Sequence, residues 1–102
     1  MKIFGHEYEI IFRDMSVDDL SGRGSVARNT IEINTHNHAP TQMEDTFLHE
    51  VLHQISDILK LSMKEALVHR LAAGLHTVIK DNPEIFSMRL PEGKNKGKEV
   101  LN

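Results

Sequence analysis

His49-Glu50-Val51-Leu52-His53 places two imidazoles four residues apart with a glutamate beside the first. On a helix, residues four apart lie one above the other. Both imidazoles can therefore address one ion, while Glu50, a step round, can accept a proton from metal-bound water. In a chain of this length with seven histidines and nine glutamates, chance gives such a match with an expectation of roughly 0.04. Structural zinc sites are normally closed by four protein ligands, often including cysteine, whereas hydrolytic sites leave one position to water. This chain has no cysteine, so the motif points to a catalytic Zn²⁺, one per chain, with Glu50 as general base.

A hydrolytic zinc needs a third protein ligand, and Glu65, His69 and His76 fall on one stripe of a downstream helical pattern. Glu65 also has a plain role as the last member of a capping box, Ser62-Met63-Lys64-Glu65. Antiparallel packing of two helices would bring His69 nearly level with His53, so spacing alone leaves Glu65 and His69 even. His36 and His38, in a loop after a strand, are weaker candidates for stabilising an oxyanion. Tyr8, the one tyrosine, reads as strand packing.

The elements that must position these groups are legible in outline. Thr41-Gln42-Met43-Glu44 is a capping box ahead of Phe47, Leu48, Val51, Leu52, Ile55, Ile58 and Leu59, a broad apolar stripe at helical spacing. A second helix opens at the Ser62 box, with Leu67, Leu71, Leu75, Val78 and Ile79 as its apolar face and Asp81-Asn82-Pro83 as its stop. With only Leu61 between them, the helices must pack antiparallel or turn sharply. Upstream, residues 3–12 read as one strand, and Thr30-Ile31-Glu32-Ile33-Asn34 alternates cleanly as another. The glycines of Ser21–Ser25 break structure, and Val26–Arg28 reads as one arm of a hairpin turning at Arg28-Asn29. Strands before helices predict an α+β fold, a small antiparallel N-terminal sheet packed on two long helices. Ile85-Phe86-Ser87-Met88 reads as a cover for the core, residues 1–90 as one domain, and 91–102 as a flexible basic tail.

Composition excludes other classes. At 102 residues one modest core is expected, and a net charge of −3 offers no field for phosphate backbones, so nucleic-acid binding is not expected. No apolar run is long enough for a membrane span, and the start Met-Lys-Ile-Phe-Gly-His-Glu turns charged too early for a signal peptide. A cytoplasmic protein is the expectation.

Beyond the motif, Glu65-Ala66-Leu67-Val68-His69-Arg70-Leu71-Ala72, Val78-Ile79-Lys80-Asp81-Asn82-Pro83, Ile3–Ile10 and Asn29–Ile33 together resemble the small phage-encoded members of the ImmA/IrrE-like zinc metallopeptidases. The resemblance spans about residues 1–86. It implies a zincin-like fold in which the second helix carries Glu-x-x-x-Asp or Glu-x-x-x-Asn, the glutamate binding zinc and the later residue supporting the site. That pattern maps onto Glu65 as the third ligand with His49 and His53, and puts His69 in the supporting place, where it is neither Asp nor Asn. The implied activity is a zinc-dependent metalloendopeptidase acting on a protein or peptide, with Thr30–Asn34 offering a free edge for an extended substrate. The alternative is a zinc-stabilised, catalytically silent binding module of phage origin.

Overall fold

The computed structural model describes residues 1–17, 20–36 and 38–86. The basic tail expected from Pro91 lies outside the described residues, as do Ser87 and Met88 of the expected core cover. The fold is α+β; the described residues form five short strands followed by two long helices and one short one.

The opening segment is not one strand. It splits into β1 (Lys2–Ile3), β2 (His6–Glu7) and β3 (Glu9–Arg13). Phe4 and Gly5 both hold positive φ, 50° and 82°, the signature of a two-residue turn whose twist matches its flanking strands. β1 and β2 pair antiparallel across it.

The second sheet is mixed rather than antiparallel. Its order is β3-β5-β4, with β5 (Thr30–Asn34) parallel to β3 and antiparallel to β4 (Gly22–Ser25). Thr30–Asn34 is therefore the central strand, not an edge; Ile31 and Ile33 on it have no solvent exposure. Buried Asn34 holds the connection that carries the chain from β3 round to β4: its Oδ1 accepts the Met15 and His36 backbone N–H groups at 2.9 Å, and its Nδ2 donates to the Leu20 carbonyl at 2.6 Å. The glycine-rich stretch read as a break is β4 itself, and Val26–Asn29 is the turn. A Cβ at Gly22 would stand 2.8 Å from Thr46 Cγ2, and one at Gly24 would collide with the Gln54 amide. Glycine is there to bring the strand onto a helix.

That helix, α1, runs from Pro40 to Leu59, starting one residue before the expected Thr41. Proline at the first helical position loses an N–H that had no partner to meet, and the Gln42 side chain accepts the Ala39 N–H at 3.3 Å; Ala39 has no side-chain acceptor to return, so the expected Thr41 capping box is replaced by half of one, two residues earlier. Met43, Phe47, Val51, Ile55 and Ile58 pack on Ile3, Tyr8, Ile31 and Ile33 to form the core. Lys60, at φ 56°, ends the helix in the left-handed region.

α2 spans Glu65–Asp81 and α3 Pro83–Phe86. Five residues, not one, separate α1 from α2. Ser62 itself sits at φ 55° and Lys64 is the N-cap, without a side-chain hydrogen bond, so the expected Ser62 capping box does not form. His53 late in α1 meets Glu65 at the start of α2, and Glu44 early in α1 meets His76 late in α2, so the two helices run antiparallel. The face of α2 that packs inward carries Val68 and Ala72, both fully buried. Leu67, Leu71, Leu75 and Val78, expected to be core, are exposed.

Candidate metal centre

His49 and His53 lie one turn apart on α1, and Glu65 is the first residue of α2. The five-residue turn between the helices brings that first residue back over His49 and His53. Glu65 Oε2 is 2.8 Å from His49 Nε2, Glu65 Oε1 is 2.8 Å from His53 Nε2, and the two imidazole nitrogens are 3.2 Å apart. Tetrahedral zinc with bonds of about 2.0–2.2 Å sets its ligand atoms about 3.3–3.5 Å from one another. The three groups already converge to nearly that spacing, and a small outward shift of the carboxylate admits an ion. Among the described residues this is the group that could hold a metal.

With Ser62 not capping, the rival account of Glu65 falls away, and its carboxylate is committed to the two imidazoles. Partial burial raises its pKa, but the His53 hydrogen bond and the charges of His49 and His53 outweigh that and hold it below the usual glutamate range. A carboxylate already ionised at neutral pH needs no proton displaced to bind a cation.

Glu50 lines a cleft of about 310 Å³ together with Ser21, Gly22, Asp45, Thr46, His49, Glu65 and His69. Burial pushes its pKa up; His49 and His53 oppose the shift and Glu65 adds to it. A half-buried glutamate with a raised pKa holds a proton more readily than a solvated one, which suits a group that must accept and return one. The β4 glycines lie directly over it: Cβ atoms at Gly22 and Gly24 would stand 3.6 Å from Glu50 Cγ and 3.4 Å from Glu50 Oε1.

His69 stands at the rim, exposed, its ring centroid 6.1 Å from that of His49 and the ring planes 67° apart. It lines the cleft but does not join the converging group. His76 is spent elsewhere, 3.0 Å from Glu44 Oε1. His36 lies 3.5 Å from Asp14, and His38 Nδ1 is 2.5 Å from the His36 carbonyl oxygen; neither lines the cleft, so the structure brings no oxyanion role to them. Tyr8 is buried and donates its hydroxyl to Gln54 Oε1 at 2.9 Å, a packing role as expected.

The wall opposite α2 carries no signal in the sequence. Ser21 and Gly22 were expected only to break structure, and their place in the cleft follows from β4 lying on α1. Asp45, one turn before His49, also faces the cleft, and its Oδ1 is buried with no hydrogen-bond partner among the described residues. Among the described residues three carboxylates thus line the cleft and no lysine or arginine does. The chain matches no protein-family model, no curated protein and no solved structure.

Proposed function

We propose that the protein is a zinc-dependent endopeptidase of minimal zincin type, with His49, His53 and Glu65 as the metal ligands and Glu50 as general base. The observation that carries the reading is the convergence of Glu65 on both imidazoles of a His-Glu-x-x-His helix. It gives the two-histidine, one-carboxylate donor set of hydrolytic zinc sites, which would hold the ion and leave water to complete its coordination. The resemblance to the ImmA/IrrE-like metallopeptidases supports the same three ligands.

When bound, zinc would polarise the peptide carbonyl and acidify water at the site. The chain's own residues do the rest. Glu50 takes the proton of the attacking water and passes it to the leaving amine. β4 is an outer strand of its sheet and passes over Glu50, so an extended peptide pairs with its open edge rather than with Thr30–Asn34. Gly22 and Gly24 keep that edge within reach of the cleft.

The test compares wild type with Glu50→Gln, both loaded with zinc, on a mixture of unstructured peptides read by mass spectrometry. The glutamine keeps shape and metal but cannot accept the proton. Expected is cleavage by wild type and a loss of about 10²-fold or more in the variant. Equal activity, or no cleavage by a wild type shown to carry one zinc per chain, would favour the binding-module reading. Wild type purified without added zinc that holds no metal, and whose melting temperature is the same with and without zinc, would remove the metal reading altogether.

A further inference from the structure

The outward face of α2 is apolar without being core. Leu67, Leu71, Leu75 and Val78 are 47%, 42%, 41% and 48% exposed, and Leu59 and Leu61, at the turn entering the helix, are 47% and 51% exposed. Exposed aliphatic residues scattered singly are ordinary; six gathered on and beside one helix mark a contact surface. Residues 67, 71, 74 and 78 follow the alternating four- and three-residue spacing of a helix–helix seam. The seam includes Gly74, where an added Cβ would meet nothing within 4 Å. The described residues therefore give no packing reason for the missing side chain.

We propose that this face joins two copies of the chain through an antiparallel α2–α2 pair related by a two-fold axis. The register follows from the seam itself. With the axis between positions 72 and 73, Leu67 packs on the partner's Val78, and Leu71 enters the notch at the partner's Gly74. The same register brings Lys64 opposite the partner's Asp81, so each end of the seam closes on opposite charges. A parallel pair would set Lys64 on the partner's Lys64 and Asp81 on the partner's Asp81, and would stack the two glycines into a void. Charge and volume both choose the antiparallel arrangement. Such a face is self-complementary, as a two-fold contact requires. Val68 and Ala72 stay on α1, and the Glu65 carboxylate is turned toward His49 and His53, so the dimer leaves the cleft open.

Sedimentation equilibrium of the full chain from about 1 to 200 µM tests this, since a contact of one helix face from each copy belongs to the smaller, micromolar class of interfaces. A reversible dimer is expected, converted to monomer by Leu71→Glu with the circular dichroism unchanged, because Leu71 lies outside the core. Lys64→Asp and Asp81→Lys should each weaken the dimer by about tenfold, and the two together should restore it. Because the chain has no native cysteine, Leu67→Cys and Val78→Cys chains should form a disulfide when mixed and none when kept apart. A monomer throughout the range overturns the proposal, as does Leu67→Cys linking to itself, which would report a parallel pair. A monomer that dimerises only after deletion of residues 87–102 also overturns it, by showing that this segment covers the face.

Discussion

Glu65 lies 2.8 Å from His53, twelve residues earlier in the chain and on the other long helix. That contact fixes α2 against α1 at the point where His49 also reaches the carboxylate. Removing any of the three leaves the other two oriented toward an incomplete site.

Zinc titration of single variants should rank the damage by donor. His49→Ala and His53→Ala are expected to be worst and Glu65→Gln next. His69→Ala should be clearly milder, within the roughly 10- to 100-fold loss typical of residues that support ligands without binding the ion. Since Ser62 does not cap α2, Glu65→Gln loses no capping box, and its effect reports on the metal. A His69→Ala protein that binds no zinc beside a Glu65→Gln protein that binds normally would make the site a three-histidine one.

Gly22→Ala should be more disruptive than Gly24→Ala. At Gly22 the new methyl meets the Glu32 backbone carbonyl at 2.7 Å as well as Thr46, and backbone cannot step aside. At Gly24 it meets the end of the Gln54 side chain, which can move if it gives up the Tyr8 hydroxyl. Overpacking of this kind costs about 1–3 kcal/mol, with Gly22→Ala at the upper end. Urea denaturation of both variants checks the order; equal losses would mean that the backbone contact is not what limits the approach of β4.

Glu32 ties all three strands of its sheet, accepting from Arg23 on β4 and Arg13 on β3. The Arg23 hydrogen bond, then that of Arg13, hold its pKa below the usual glutamate range. Its contribution is therefore fully present above the unfolded value of about 4.3 and is lost as pH falls through the lower folded value. Both arginines are partly solvated, so the contribution is about 1 kcal/mol or less. Wild type should exceed Glu32→Gln by that margin at pH 7 and by less at about pH 3. A gap that stays constant between the two would exclude the clamp as an electrostatic device.

Asp45→Asn should stabilise the metal-free protein. Among the described residues Asp45, Glu50 and Glu65 line one cleft with two histidines and no lysine or arginine, and the Asp45 Oδ1 is buried there without a partner. Removing one negative charge should gain about 1 kcal/mol or less by thermal unfolding. Zinc should shrink the gain, because the cation supplies the missing opposite charge. Destabilisation by Asp45→Asn with and without zinc would show that the carboxylate has a structural partner.

The parts of the site that one helix can hold were legible in the sequence. His49, Glu50 and His53 are related by the helical repeat alone, and the apolar residues of α1 that share its core face, from Phe47 to Ile58, followed from the same period. Thr30–Asn34 was legible as a strand because its alternation matches a pleat with Ile31 and Ile33 turned inward. Its neighbours were not. Order in a sheet depends on how the connections cross, and here Asn34 holds the segment between β3 and β4, its side chain bonding Met15 and Leu20 and its backbone N–H donating to the Ser21 carbonyl. Glycines look the same in sequence whether they end a strand or let one lie on a helix, so β4 and its place over Glu50 emerged only from the packing. Glu65 could not be separated from a capping role until the five-residue turn placed Ser62 out of reach of the α2 N-terminus. Periodicity gave α2 an apolar face, but a helical pattern does not say whether that face meets its own core or another chain. The fold packs α2 through Val68 and Ala72, small enough for α1 to approach, and leaves the leucines outside the core.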